Sequence, residues 1–305
     1  MVTSETLSAL QTETAEYADI AIVIPAFNEQ ASLPQVLQAL HAWRQRGAQV
    51  IVVDDGSTDA TARVAAENGA QVIRHRRNRG YGASLKSGIR AAERDIVITF
   101  DADGQFDPND IEKLTRALAD SDMAVGVRPK GAGSPTLRKP GKWLLGQTAN
   151  YLAQTHIPDL NCGFRALPVE TALRFLNLLP NGFSFTTTLT LAMFQDGYNV
   201  AYVPITVHPR AAGKSRVRVA DGFNTLLLII RIIALFDPLK VFLPASALLF
   251  LAGIGYWALD SFALGRWNIP SGAVILIVSA IMVFMFGILA DQVSAMRRQQ
   301  TEPSD

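Results

Sequence analysis

Two carboxylates one residue apart are the side chains of this chain best placed to hold a cation. Asp101 and Asp103 come just after the β-branched run at residues 96–98. Because side chains at i and i+2 of a strand point to the same face, both carboxylates aim at one point where a strand gives way to a loop. Oxygen ligands of this kind suit Mg²⁺ or Mn²⁺ with open positions for phosphate oxygens. An acidic turn without a cation is the alternative explanation.

Two further apolar runs end in polar or acidic residues. Residues 20–24 lead into Pro-Ala-Phe-Asn-Glu at 25–29, and residues 50–53 lead into Asp-Asp-Gly-Ser-Thr-Asp at 54–59. A helical pattern follows each run, and this alternation predicts an α/β fold with a parallel sheet. Ligands of such sheets bind in the crevice beyond the carboxyl ends of the strands. Helix capping is the alternative explanation for Asp54 and Asp55.

The motifs and their order resemble glycosyltransferase family 2. The resemblance rests on Ile-Pro-Ala-Phe-Asn-Glu at 24–29, Val-Val-Asp-Asp-Gly-Ser-Thr-Asp at 52–59 and Asp-Ala-Asp-Gly-Gln at 101–105. Later motifs are similar to the branch that moves a sugar onto polyprenyl phosphate, typified by dolichyl-phosphate mannose synthases. They are Asn-Arg-Gly-Tyr-Gly at 78–82, Asn-Cys-Gly-Phe-Arg at 161–165 and Arg-Ala-Ala-Gly-Lys-Ser-Arg at 210–216. The resemblance covers residues 20–220.

The resemblance implies a GT-A fold, in which helices flank a Rossmann-like mixed sheet that binds a UDP- or GDP-linked sugar. By the same resemblance, the expected nucleotide contacts are Pro25, Phe27, Glu29, Asp54, Asp55 and Ala102. The expected ligands of Mg²⁺ or Mn²⁺ are Asp101, Asp103 and Gln105, and an amide carbonyl suits the third position as a neutral oxygen donor.

Two basic clusters predict phosphate on both substrates. Residues 128–142 carry five basic residues and no acid, and a second cluster occupies residues 210–218. Because arginine binds phosphate oxygens bidentately, one cluster would hold an acceptor phosphate while the other closes over the diphosphate. A solvated face, or attraction to anionic lipid, is the alternative explanation. The residues expected to bind the acceptor phosphate are Arg128, Ser134 and Arg138. The loop expected to close over the diphosphate contains Arg210, Gly213, Ser215 and Arg216. The expected catalytic residues are Asp101, Asp103, Arg128, Arg138 and Arg210.

The scarcity of acids supports a phosphate acceptor. Transfer to a hydroxyl usually needs a carboxylate as general base, yet between Asp122 and Asp196 the chain has only Asp159 and Glu170. A phosphate monoester is already an anion at neutral pH, so it can attack the anomeric carbon without a base. The predicted reaction is a single inverting displacement onto polyprenyl phosphate. That prediction weakens if Asp159 reaches the reaction centre.

Composition agrees with a membrane-associated enzyme that has a cytosolic domain. The formal net charge of +1 over 305 residues gives no bulk field for nucleic acid. Cys162 is the single cysteine, which excludes an intrachain disulfide and suits a reducing compartment. Residues 1–19 lack a basic segment followed by an apolar core, so we expect a mobile tail rather than a signal peptide.

The carboxyl-terminal third predicts two membrane spans. Residues 241–259 and 269–290 are apolar, each close to the ~20 residues that cross a bilayer as a helix. Basic residues flank both outer ends, so both termini and the catalytic domain should face the cytoplasm. The expected organisation is a tail at 1–19, a catalytic domain at 20–220, an interfacial helix at 221–240, the hairpin at 241–295 and a cytoplasmic tail at 296–305.

Three structural questions stay open at this stage. The hairpin could instead be buried inside a larger core, and the segment at 221–240 could pack on the catalytic domain as an ordinary amphipathic helix. Gly253 and Gly255 would permit close approach of a second copy, so the spacing allows a homo-oligomer.

Other functions also fit parts of the sequence. Processive polysaccharide synthases usually carry Gln-x-x-Arg-Trp, but the pair Arg266-Trp267 here has alanine at position 263. A family 2 enzyme with another membrane acceptor, a non-catalytic nucleotide-binding membrane protein and a flippase accessory remain as alternatives. The intact residues Asp101, Asp103 and Gln105 favour an enzyme.

Overall fold

A seven-stranded sheet carries the amino-terminal part of the chain. The computed structural model describes residues 17–129, 146–151, 153–209, 237–265, 267 and 269–299. The strands are β1 (Ile20–Ala26), β2 (Gln49–Asp54), β3 (Gln71–Arg74), β4 (Ile96–Thr99), β5 (Met123–Val127), β6 (Arg165–Pro168) and β7 (Val200–Pro204). Their order across the sheet is β3-β2-β1-β4-β6-β5-β7, and β6 runs antiparallel to β4 and β5. The sheet is therefore mixed, as predicted.

The strand order reverses at β1. Strands β2 and β3 lie on one side of β1 and β4 lies on the other, all parallel to it. Ala26 pairs with Asp54 across β1 and β2, and Val23 pairs with Thr99 across β1 and β4. Such a reversal opens a crevice beyond the carboxyl ends of the strands. The three predicted strand ends therefore meet at one edge of the sheet.

Helices connect and cover the strands. They are α1 (Leu33–Ala39), α2 (His41–Gln45), α3 (Thr61–Glu67), α4 (Tyr81–Arg90), α5 (Asp110–Ala117), α6 (Val169–Phe175) and α7 (Phe185–Gln195). Almost every residue of β1 and β2 is buried, on both faces of the sheet. This is the burial expected of central parallel strands with continuous apolar sequences. The core thus fixes the strand ends that carry the polar residues.

Two long apolar helices follow, α8 (Leu239–Leu264) and α9 (Ser271–Gln299). They pack against each other through glycines: a Cβ on Gly253 would lie 2.8 Å from Ile277 and one on Gly287 would lie 2.7 Å from Phe242. Gly253 thus serves the hairpin itself, whereas a Cβ on Gly255 would meet nothing within 4 Å. The hydroxyl of Tyr151 donates to the carbonyl of Lys240 near the start of α8, at 3.1 Å.

The hairpin does not form the core of the sheet domain. In the most apolar 18-residue stretch of each helix, only 11% of α8 and 17% of α9 is buried. The alternative of a hairpin buried inside a larger core was therefore wrong. The second helix begins at Ser271 rather than 269, because the residue before Pro270 is disfavoured in a helix. The predicted interfacial segment lies outside the described residues up to position 236, as does most of the predicted tail at 1–19.

Candidate functional site

Side-chain and backbone hydrogen bonds join the loops after β1 and β2. The side-chain oxygen of Asn28 accepts from the amide of Thr58, and the amide of Glu29 donates to the hydroxyl of Thr61, both at 2.9 Å. Asn28 has a φ of 57°, a conformation that asparagine tolerates. Phe27 lies on this rim with 45% of its surface exposed. The rim is therefore a cross-linked unit rather than two independent loops.

Asp54 is fully buried at the end of β2. Its Oδ1 accepts from the amide of Ser57 at 2.9 Å, so a turn within the loop, four residues before α3 begins, accounts for one oxygen. Its Oδ2 lies 3.2 Å from Nε of Arg74, yet no aligned hydrogen bond reaches that oxygen within the described residues. A buried carboxylate oxygen in this state is a ready acceptor for a ligand N–H group.

Asp55 has a different set of partners. Its two oxygens accept from the amides of Arg79 at 2.9 Å and Gly80 at 2.8 Å, and Oδ1 lies 2.6 Å from Nδ1 of His75. The other ring nitrogen of His75 lies 2.9 Å from the hydroxyl of Ser87. Asp55 therefore fixes the segment that leads into α4. Sequence reasoning missed this buried network because the histidine is distant along the chain.

Asp101 and Asp103 lie where β4 ends. Oδ1 of Asp101 accepts from the hydroxyl of Tyr81 at 3.0 Å, and Oδ1 of Asp103 accepts from the amide of Gln105 at 3.1 Å. The carbonyl of Gln105 accepts from the amide of His208 at 2.8 Å. This last bond ties the acidic loop to the segment that follows β7.

Gly163 leaves the space that the carboxylate of Asp101 fills. A Cβ at this position would lie 2.8 and 2.9 Å from the two carboxylate oxygens and 2.7 Å from Oη of Tyr81. The carbonyl of Gly163 accepts from the hydroxyl of Thr99, and the antiparallel pairing of β4 with β6 brings these segments together. A residue other than glycine at 163 would displace the carboxylate.

The donor set fits a hard divalent cation that also binds phosphate. Asp101, Asp103 and Gln105 are all half-buried and supply only oxygen donors. Across the described ranges, no group of three His, Cys, Asp or Glu side chains could hold a metal ion alone. Mg²⁺ commonly takes one or two carboxylates and completes its shell with substrate phosphates and water. The pair of carboxylates matches that pattern.

Tyr81 lies between the acidic loop and an exposed aromatic ring. Burial raises the pKa of Tyr81 well above its usual value, and the negative charge of Asp101 raises that pKa further. The tyrosine therefore stays protonated and donates. The ring of Phe183 stacks on Tyr81 with centroids 5.5 Å apart, although 84% of the surface of Phe183 is exposed.

Arg128 follows β5 and makes a bidentate ion pair. Its Nε lies 2.7 Å from Oδ2 of Asp159 and its Nη2 lies 2.9 Å from Oδ1. This pairing raises the pKa of Arg128, and the charge of Asp101 contributes to the same rise. Both oxygens of Asp159 are therefore engaged by the guanidinium group.

A buried arginine organises the loop that carries Asp159 and Gly163. Arg165 is 1% exposed and donates to the carbonyls of Cys162 at 2.8 Å and Leu160 at 3.0 Å. Its Nη1 donates to the hydroxyl of Thr190 at 2.7 Å. Burial lowers the pKa of Arg165. The loop is thus bonded to α7 through a cation in the core.

The threonine run at 186–188 has a structural role. All three residues are buried, and the hydroxyl of Thr187 donates to the side chain of Asn161 at 3.0 Å. The run packs at the start of α7 against the loop of the Asn-Cys-Gly-Phe-Arg motif.

Of the remaining predicted site residues, some lie beside the site and others lie outside the described residues. Pro25 is half-buried at the end of β1, and Ala102 is 4% exposed beside the acidic pair. Six predicted residues lie outside the described residues, so the structure gives them no position: Ser134, Arg138, Arg210, Gly213, Ser215 and Arg216.

Two family models match the chain. The model described as Glycosyl transferase family 2 matches residues 21–172, and the GtrB C-terminal hairpin model matches residues 237–296. The chain belongs to glycosyltransferase family 2. The predicted family and the predicted GT-A architecture are thereby confirmed, together with the hairpin that follows it.

Relatives agree with this assignment. The chain is 34% identical over 205 residues to an uncharacterized glycosyltransferase of Mycobacterium tuberculosis, covering 65% of this chain and 89% of that protein. It is 29% identical over 213 residues to undecaprenyl-phosphate mannosyltransferase of Micrococcus luteus, covering 65% and 87%.

A solved structure shares the fold. Glucosyl-3-phosphoglycerate synthase from Mycobacterium tuberculosis, in complex with Mn²⁺, UDP and glucosyl-3-phosphoglycerate, aligns with a TM-score of 0.55 and 21% identity. The alignment covers 73% of this chain and 80% of that one. At this identity the likeness establishes the GT-A fold.

Proposed function

We propose that this family 2 glycosyltransferase moves a sugar from a nucleotide-sugar onto polyprenyl phosphate at a membrane surface. The pairing of Arg128 with Asp159 carries the proposal, because both carboxylate oxygens of Asp159, the acid that the sequence offered as a possible base, are bound by that guanidinium group. The Micrococcus luteus relative supports the acceptor, since its name describes transfer to undecaprenyl phosphate.

The nucleotide of the donor would lie against the rim beyond β1 and β2. Asp54 offers its buried Oδ2 to an N–H group of the base, while Pro25, Phe27 and Glu29 line the approach. Asp55 would act through the segment it fixes rather than by touching the nucleotide. The complex of the structural neighbour with UDP supports a nucleotide-linked donor.

The diphosphate would lie over Asp101, Asp103 and Gln105, with Ala102 between the two acids. These residues would hold Mg²⁺ or Mn²⁺ against the diphosphate oxygens, and the cation would supply charge stabilisation for the departing diphosphate. The neighbour's complex with Mn²⁺ supports the choice of a divalent cation. The chain's own part is to present both carboxylates at the end of β4, where Gly163 leaves the space that the carboxylate of Asp101 fills.

The acceptor phosphate would approach Arg128. The pair with Asp159 uses Nε and one N–H of Nη2, so the opposite edge of the guanidinium points away from Asp159 and would bind the phosphate. A phosphate oxygen then attacks the anomeric carbon as the bond from that carbon to the diphosphate oxygen breaks. The products are a polyprenyl-phospho-sugar with inverted configuration and a nucleoside diphosphate. Ser134 and Arg138 would join Arg128 at the acceptor phosphate; Arg210, Gly213, Ser215 and Arg216 would close over the diphosphate.

The hairpin would hold the site at the bilayer. Its exposed apolar side chains need a lipid surround, since leaving so many in water is unfavourable. Basic residues at Lys240 and at Arg297 to Arg298 would keep both ends of the hairpin, and the sheet, on the cytoplasmic side by the positive-inside rule. The lipid acceptor would then present its phosphate to the carboxyl edge of the sheet.

The test is a transfer assay on the full-length protein in detergent. Polyprenyl phosphate is supplied with labelled UDP-glucose, UDP-N-acetylglucosamine or GDP-mannose, with and without Mn²⁺, beside an Asp103→Ala variant. Metal-dependent label in the organic phase, absent from the variant, supports the proposal and identifies the sugar. Donor binding without lipid label would favour another membrane acceptor, and absence of donor binding would favour a non-catalytic protein.

A further inference from the structure

Tyr81 connects the acidic loop to parts of the chain that the reaction does not otherwise use. It is the first residue of α4, and its hydroxyl donates to Oδ1 of Asp101 at 3.0 Å. Phe183 covers one face of its ring. Gly163 leaves room for its hydroxyl, since a Cβ there would lie 2.7 Å away.

The backbone position of this tyrosine is tightly set. Gly80 precedes it with a φ of 98°, and a Cβ on Gly80 would lie 2.5 Å from the carbonyl of Asn181. The amide of Ala83 donates to that same carbonyl at 3.1 Å. The amide of Gly80 is also bound by Asp55. These contacts fix the start of α4 and so position the hydroxyl of Tyr81 beside the carboxylate of Asp101.

We infer that Tyr81 is a positioning residue of the metal site, whose hydroxyl holds the Asp101 carboxylate in the orientation that lets Asp101 and Asp103 bind one cation. The terminal torsion of an aspartate is broad, so the carboxylate needs a fixed donor to keep one orientation. Pre-organised ligands bind a cation with less loss of side-chain freedom. The inference rests on the proposed function, in which that cation accompanies the donor diphosphate.

A single-atom deletion isolates the hydrogen bond. Tyr81→Phe removes the hydroxyl and leaves the ring to pack against Phe183. Tyr202→Phe is the matched control, because the hydroxyl of Tyr202 is buried and has no hydrogen-bond partner within the described residues. Both variants lose the same atom from the same residue type, so a general effect of the substitution would appear in both.

The measurement is Mn²⁺ binding to full-length protein in detergent with UDP, and separately with GDP. Free Mn²⁺ is followed by electron paramagnetic resonance. We expect the dissociation constant for Mn²⁺ to rise about tenfold in Tyr81→Phe, as for the loss of one hydrogen bond to a charged group, and to stay unchanged in Tyr202→Phe. In the transfer assay, the metal concentration for half-maximal rate should rise while kcat at saturating Mn²⁺ stays near that of the unaltered protein.

The outcomes separate this inference from the proposed function. Equal or tighter Mn²⁺ binding in Tyr81→Phe would overturn the inference, whether or not the variant has a lower thermal midpoint, while lipid-linked product would still support the proposed function. Failure of the unaltered protein to bind Mn²⁺ with either nucleotide would overturn both.

Discussion

Arg128 and Asp159 face each other side-on, with Nε and Nη2 of the arginine 2.7 and 2.9 Å from the two carboxylate oxygens. The geometry orients the guanidinium and directs its other edge away from Asp159, and that edge is the one proposed to bind the acceptor phosphate. Asp159 acts here as a partner of a cation. A general base would instead need an oxygen directed at the acceptor hydroxyl.

Replacing Asp159 should therefore affect acceptor binding before chemistry. In Asp159→Asn the arginine loses its charged partner, and we expect KM for polyprenyl phosphate to rise about tenfold with KM for the donor unchanged. The control is Glu170→Gln, since Glu170 is an exposed acid paired with Arg174 on the surface of α6. Steady-state kinetics, with each substrate varied in turn, gives kcat and the KM for the lipid and for the donor. A collapse of kcat with unchanged KM for the lipid would instead indicate that Asp159 is the base.

A methyl group at position 163 should slow transfer strongly without unfolding the protein. The Cβ of Gly163→Ala would fall within 2.9 Å of both carboxylate oxygens of Asp101, which must move away from the cation. We expect transfer to fall more than about a hundredfold, as for misplacement of a group at the reaction centre. Gly146→Ala is the control, since its Cβ would meet nothing within 4 Å. Rates and thermal midpoints of both variants provide the measurement, and normal activity of Gly163→Ala would contradict the placement of Asp101.

Cys162 should be inert in the folded protein. It is buried, and burial raises the pKa of its thiol to about 12, so almost no thiolate is present at pH 8. N-ethylmaleimide should leave the native protein unlabelled and add once to the unfolded protein, as read by intact mass. Because the folded pKa is raised, this thiol's contribution to stability is present below its unfolded pKa near 8.5 and is lost as pH rises toward 12. Rapid labelling of active protein would show that the loop at 160–163 opens.

The acidic loop could be predicted from the sequence because its two carboxylates are neighbours along the chain. Asp101 and Asp103 need only the strand period and a strand end to share a face. The partners that orient them come from elsewhere: Tyr81 starts a helix and Gly163 precedes β6. Neither position carries a charge or a metal-ligand spacing. The pairing of β4 with β6 brings Gly163 to the site, whereas the hydrogen bonds of Gly80 to Asp55 and of Ala83 to Asn181 position the helix start that carries Tyr81.

Two adjacent residues at the end of β2 also have partners that the local sequence does not reveal. Asp54 and Asp55 were both predicted to contact nucleotide, yet neighbouring residues of an extended chain point to opposite sides. In the structure Asp54 keeps a buried oxygen at the sheet edge while Asp55 turns to His75 and the start of α4. The alternation was available in the sequence, but the histidine partner was not, because it depends on the pairing of β2 with β3.

The antiparallel strand β6 also could not be predicted from the local sequence pattern. Strand β6 opens on the buried Arg165, a residue type that is seldom fully buried unless it is paired. Its apolar pattern is therefore interrupted where the strand begins. The arginine is tolerated because carbonyls of its own loop and Thr190 accept its hydrogen bonds. The two carbonyls are local, but the hydroxyl of Thr190 reaches Arg165 only through the tertiary fold.

The central claim is that the acceptor is a phosphate, and one competition measures it directly. The full-length protein receives its preferred nucleotide-sugar with equal amounts of polyprenyl phosphate and the matching polyprenol, and the lipid products are weighed by mass spectrometry. We expect the sugar on the phosphate alone, with release of the nucleoside diphosphate, and no product in Asp103→Ala. Sugar attached to the polyprenol hydroxyl would contradict the account, since that reaction needs the base that Asp159, paired with Arg128, is not placed to provide.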